Sequence, residues 1–181
     1  MSNPTEVSPN VANLQVGKGI VSFMKEGDSV YRDLGNCTSF VITPNAETLE
    51  HFTSRMGTKK RDVLIVIQQT MDLKLVMEEF TAQNLAMMVY GSVDLAAVGG
   101  PEVEIFGTSV VKGAFKFVGT NDVGPKININ LFNVSLTPDG DLEMISDEWN
   151  NMELLGAVLA AESGPNVGKF GTIQITNSTP S

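Results

Sequence analysis

The sequence predicts a mainly β fold: two packed antiparallel sheets, a sandwich or partly open barrel, with one flanking α-helix, a long inter-strand loop and extended terminal arms. Three observations predict it. Apolar residues alternate with period two along most of the chain, turn residues recur between the alternating runs, and one segment alone keeps helical spacing.

Residues 1–15, with Pro4, Pro9, Asn3, Asn10 and Asn13, read as an N-terminal arm; residues 16–176 form a single domain, and residues 177–181 a C-terminal tail. Gly19–Met24 and Ser39–Thr43 alternate as strands. Residues 44–62 form a polar loop, followed by the apolar, β-branched run Asp62–Ile67. Met71–Met77 alternates with Asp72 and Lys74 outward. A helix is predicted over about 81–90, with Thr81 as N-cap, Gly91 as stop, and Ala82, Leu85, Ala86 and Val89 on its apolar face. Glu78 and Glu79 would favour its N-terminus.

Val103–Phe106 and Val110–Val118 are strands broken by Gly107 and Gly113. Lys126–Leu136 alternates most cleanly, with Ile127, Ile129 and Leu131 against Asn128 and Asn130. Its doublet Leu131-Phe132 breaks the period and predicts a bulge or bend. Thr137–Asp141 predicts a tight turn between antiparallel strands. Leu154–Ala160 and Gly171–Thr176 complete the set.

The chain has 181 residues, 42% of them hydrophobic, enough for one domain with a core. One cysteine, Cys37, excludes an internal disulfide or a cysteine-clustered zinc site. One histidine, His51, excludes a multi-histidine metal cage. Cys37 reads as a small strand hydrophobe rather than a reactive thiol. Asp139, Asp141 and Glu143 gather carboxylates without the ligand ladder of a calcium loop, so a solvated hairpin tip is the stronger reading. No phosphate loop, nucleophile elbow or acid–base constellation is present; the reading is a non-enzyme with no catalytic residues, metal or cofactor. No signal peptide or membrane anchor is recognised.

The net charge is -9. It is divided unevenly, with eight Lys/Arg against ten Asp/Glu in residues 1–93 and four against eleven in residues 94–181. Against this field, the 44–62 segment concentrates Arg55, Lys59, Lys60 and Arg61. A long loop in a compact β domain usually carries function. Local basic charge in an acidic chain points to contact with another copy, and repeated head-to-tail contact builds rings or filaments.

Gly35–Pro44, then Glu47-Thr-Leu-Glu-His-Phe-Thr-Ser-Arg-Met-Gly57, then a basic–Asp step into an apolar strand, and the helix Asn84–Gly91, resemble the major tail tube proteins of long-tailed, siphovirus-type bacteriophages. Residues 15–95 carry the resemblance; Met56 stands where many members have Glu. The resemblance implies a structural virion protein, assembled in the host cytoplasm. Its hexameric rings would stack into a tail tube conducting double-stranded DNA during ejection. It implies tape measure and tail-end proteins as partners and an inter-ring contact loop, here Glu47, Glu50, His51, Arg55, Lys59, Lys60 and Arg61. Asn128 and Asn130, on the polar face of the cleanest strand, are the candidate lumen-facing residues. The alternatives are an inner-tube protein of a contractile tail or secretion apparatus, and a β-sandwich binding module for carbohydrate or peptide. Few exposed aromatics weigh against the last; Trp149 would sit at a subunit contact or at the core edge.

Overall fold

In the computed structural model, which describes residues 13–55 and 57–176, ten strands and one helix follow in the order β1 (Gly19–Lys25), β2 (Arg32–Asp33), β3 (Cys37–Thr53), β4 (Lys60–Met77), α1 (Ala82–Met88), β5 (Ser92–Asp94), β6 (Glu102–Glu104), β7 (Val111–Gly119), β8 (Lys126–Pro138), β9 (Met152–Leu159) and β10 (Gly171–Thr176). All described strand pairs are antiparallel. The main sheet runs β2-β1-β7-β8-β9-β4-β3, with β10 also paired to β8; β5 and β6 form a separate ribbon. The fold is mainly β and sandwich-like, with one flanking α-helix, as the alternation predicts.

The sandwich is made by one sheet that forks at β8. β7 lines one edge of β8 along most of its length. The other edge is divided: residues 126–131 pair with β10 and residues 133–138 with β9. The division falls at Phe132, whose N–H donates to the carbonyl of Phe170. Across from it, the β7 register shifts between Gly113 and Phe115, so β8 carries one extra residue there. The period break at Leu131-Phe132 is therefore the fork itself. Gly113 sits at the same place because its backbone lies against β1: a Cβ would meet the Met24 carbonyl oxygen at 2.2 Å.

Forking folds the two ends of the sheet over one core. Val21 and Phe23 of β1, Phe115 of β7, Leu131, Val134 and Leu136 of β8, Met152, Leu154 and Val158 of β9, and Leu73, Leu75 and Met77 of β4 all point inward. Phe40 of β3 stacks on Phe117 of β7 at 5.5 Å, and Phe23 packs on Phe115 at 4.8 Å. The Phe23–Phe115 contact is a cross-strand pair of neighbours, whereas Phe40 brings β3 and β7, far apart in the sheet order, together through rings rather than through backbone bonds.

Helix α1 packs against β5, β6, β8 and β9. Thr81 caps it, its Oγ1 accepting from Asn84 N at 3.2 Å. The buried helix residues are Asn84, Ala86, Met87 and Met88; of the predicted stripe Ala82, Leu85, Ala86 and Val89, Ala86 is among them and Leu85 and Val89 pack half-buried against the core. A polar residue takes a core position because its hydrogen bonds are met: Asn84 Nδ2 donates to the carbonyls of Leu34 and Glu79, and its Oδ1 accepts from Arg32 at 2.6 Å. Tyr90, at φ 49°, rather than Gly91 makes the left-handed reversal after the helix, and its ring packs against the core in return. Glu78 and Glu79 bind the β2–β3 turn instead of the helix end: Glu79 accepts from Asn36 N at 2.8 Å and Glu78 from Asn36 Nδ2. Half-buried beside them and Asp33, the Cys37 thiol is pushed up to about 11, chiefly by burial, which fits an inert strand residue.

Three expectations change. The 44–62 connection is mostly paired, because strands β3 and β4 run on through it and leave only residues 54–59 as the turn. Phe106 lies outside a strand at φ 56°, and the predicted Val103–Phe106 strand is the short β6, paired with β5, which the sequence did not announce. Thr137–Asp141 does not close a tight turn: Pro138 still pairs with Leu154, and residues 139–151 form a longer connection to β9. The predicted arm as far as residue 12, the tail 177–181 and Met56 lie outside the described residues. Among the described residues, no helix is long and apolar enough to cross a membrane.

Phe115 is fully buried at the ring contacts. Phe115→Ala should cost about 3–5 kcal/mol in urea unfolding. Ile173→Ala, at an exposed position, should change stability by about 0.5 kcal/mol or less.

Candidate assembly interface

β3 and β4, at 17 and 18 residues, far outrun the strands around them. β9 pairs with β4 only over Met71–Met77. Beyond that point residues 45–53 and 60–70 pair with each other alone. They form a two-stranded arm about 30 Å long, by the usual rise per residue. Both edges of the arm are open, and so are both faces.

The register fixes what the faces carry. Leu49 opposes Ile65 and His51 opposes Val63; on the other face Thr48 opposes Val66 and Glu50 opposes Leu64. The register shift between Glu47 and Thr48 leaves Ile67 as an extra residue. The unbroken run Val63–Ile67 is thus apolar on both sides, each residue 48–57% exposed. A continuous apolar β-branched strand is the signature of a strand covered on both faces. Here the chain covers neither.

At the arm's end the charges are partly paired. Asp62 is the extra residue at a second register shift, between His51 and Phe52, and its Oδ1 accepts from His51 Nδ1 at 2.6 Å. Arg61 Nη1 donates to Glu50 Oε1 at 2.5 Å. Arg55, Lys59 and Lys60 form no ion pair among the described residues. The predicted contact residues therefore do converge on one exposed tip, where Glu50, His51 and Arg61 brace the two strands and Arg55, Lys59 and Lys60 remain unengaged. Glu47 lies farther down the shaft, opposite Gln68.

Asn128 and Asn130 lie in the three-stranded wall β7-β8-β10. Asn128 is flanked by Val118 and Gln174, and Asn130 by Lys116 and Thr172. Asn128 Oδ1 also accepts from Gly119 N at 3.3 Å. This face is polar, and its charged side chains are two lysines, Lys116 and Lys126, the latter opposite Thr176. The opposite face of β10 leaves Ile173 and Ile175 exposed. Ile173 joins Ile42, Met71, Ile129 and Phe170 in an apolar hollow of about 360 Å³ at the root of the arm.

Sequence reasoning missed the β8–β9 connection, residues 139–151. Leu142 packs against the core and roots it. Lys74 of β4 holds its start, reaching Asp139 at 3.5 Å and Glu153 at 2.7 Å. Asn150 Nδ2 donates to the Glu143 carbonyl at 2.7 Å and closes it. Trp149 is 96% exposed and Ile145 91%, so the tryptophan is not at the core edge. The advance signals were the gathered carboxylates Asp139, Asp141 and Glu143 and the place of Trp149 after Asp147-Glu148.

The sequence profile of a family described as "Protein of unknown function UCP028589" matches residues 15–115 and 93–174. No curated protein matches the chain. Among solved structures, a chain of the cryo-EM structure of the anti-feeding prophage (AFP) baseplate, 6-fold symmetrised, superposes with a TM-score of 0.53 at 11% identity, over 98% of each chain. At that identity the likeness is one of fold.

The His51 hydrogen bond is the largest influence holding the Asp62 carboxyl below its usual range. A lowered carboxyl contributes above its ordinary range and loses that contribution as pH falls through the lowered value. In an NMR titration Asp62 should therefore protonate at lower pH than a free aspartate, and His51→Gln should raise its midpoint toward the ordinary value. An unchanged midpoint in that variant would remove the pair from the account.

Proposed function

The chain belongs to that family, and we propose that it is a non-enzymatic structural subunit of a phage tail-like particle, made to assemble with copies of itself. The observation that carries this reading is the arm, with two apolar faces and two open edges. An isolated two-stranded ribbon is marginal in water, and one exposing five consecutive apolar residues is an aggregation hazard unless a neighbour covers it. A closed ring turns that hazard into a joint. The fold shared with a chain of a six-fold symmetrised baseplate supports the same reading.

In its finer form, six copies make a ring and rings stack into a tail tube, through which double-stranded DNA passes on ejection. The arm, with Glu50, His51, Arg55, Lys59, Lys60 and Arg61 at its tip and Glu47 on its shaft, contacts the adjacent ring. Asn128 and Asn130 face the lumen, and their neutral amides separate the two lysines of that wall, Lys116 and Lys126, so that phosphates meet few cations in a row. Tape measure and tail-end proteins would be the partners at the tube's ends, and the virion the final location. A second reading is the inner tube of a contractile tail or secretion apparatus; the anti-feeding prophage likeness favours it.

Concentrated protein should form rings or tubes in negative-stain micrographs. Leu64→Ser with Val66→Ser leaves the core untouched. Removing two buried apolar contacts should raise the concentration needed for assembly by on the order of a hundredfold, with monomer melting little changed. Reversing Lys59, Lys60 and Arg61 to acidic residues should weaken ring stacking. Normal tubes from that variant would contradict the role of the tip, and compact single particles of wild-type protein at every concentration would contradict self-assembly.

A further inference from the structure

The arm tip and the β8–β9 connection lie at opposite ends of one strand direction. The tip is reached at Lys60, the first residue of β4. The connection ends at Met152, which pairs with Met77, the last residue of β4. The intervening 18 residues span about 55 Å. The two features cannot meet within one subunit.

They are complementary in chemistry. The tip offers Arg55, Lys59 and Lys60 without ion pairs among the described residues, around the half-exposed ring of Phe52. The connection offers Met144, Ile145 and Trp149 to solvent. It also encloses a hollow of about 510 Å³ walled by Asp141, Glu143, Glu148, Asn150 and Trp149. Those three carboxylates form no ion pair among the described residues. On the same wall, Asn150 Oδ1 is buried and accepts no hydrogen bond. A buried acceptor without a donor, three unengaged carboxylates and an exposed indole together describe a receptor for a cationic side chain.

We propose that the β8–β9 connection is the receptor for the arm tip of a second copy. Lys59 or Lys60 enters the carboxylate hollow against the Trp149 ring, and Phe52 covers Ile145. Because donor and receptor stand at opposite poles, the contact is heterologous and repeats head to tail, giving an open stack rather than a closed pair. This rests on the self-assembly reading above and names the surface that the tip meets.

Trp149 is the sole tryptophan, so intrinsic fluorescence reports this contact directly. On assembly of the wild-type chain, the emission maximum should move to the blue and acrylamide quenching should fall several-fold. Lys59→Glu with Lys60→Glu should abolish the shift, as should Glu143→Lys with Glu148→Lys. All four positions are exposed, so melting of the monomer should hold. Mixing the two charge-reversed chains in equal amounts should restore the shift, since each then meets a complementary partner. Wild-type particles that sediment as assemblies while Trp149 stays fully quenchable would overturn the proposal and leave self-assembly standing. Wild-type protein that never sediments as more than a single chain would overturn both.

Discussion

The structure depends on how β8 shares its backbone. One strand has two edges, yet β8 serves three partners, because its second edge changes hands at Phe132. The extra residue opposite the β7 register shift bends β8 enough for β10 and β9 to diverge. From that fork the two halves of the sheet close over Phe115 and Leu154. Without it the sheet would run flat, and the core rings Phe23, Phe40, Phe115 and Phe117 would have no facing layer.

Closing the core this way leaves β3 and β4 longer than anything beside them. The body of the domain holds somewhat under half of each, and the remainder leaves as the arm. Within the body, each apolar run is covered once, by the core. Within the arm, Val63–Ile67 is apolar on both sides and covered on neither, and the open hollow around Ile173 lies near its root. The subunit therefore carries apolar surface in excess of what its own core uses. In a ring or a stack, that excess becomes the adhesive.

Much of this was legible in the sequence where local chemistry decides. The alternation of β8, the period break at Leu131-Phe132, the Thr81 cap and the final strand Gly171–Thr176 all follow from residue order. What escaped was decided by tertiary contact. Residues 44–62 are polar, and polarity there reads as a loop; pairing with an apolar partner strand is a non-local fact. The helix face proved broader than the predicted stripe because Asn84 is buried by Arg32, Leu34 and Glu79, residues far from it or outside the helix. Tyr90 reverses the chain where glycine was expected because its ring is held by the core. Most of the residues gathered by charge share one exposed tip, whereas the long connection that carries Trp149 went unrecognised because Pro138-Asp-Gly carries every mark of a tight turn.

The central claim is that the arm is completed by neighbouring copies. Amide hydrogen exchange across Val63–Ile67, compared between dilute and concentrated protein, measures it at the residues concerned. Exchange should be fast in the dilute chain, with only β3 to pair with, and slowed by orders of magnitude in the concentrated sample, while core strand β9 is protected in both. Equal exchange of Val63–Ile67 at both concentrations, in a sample that has assembled, would contradict it.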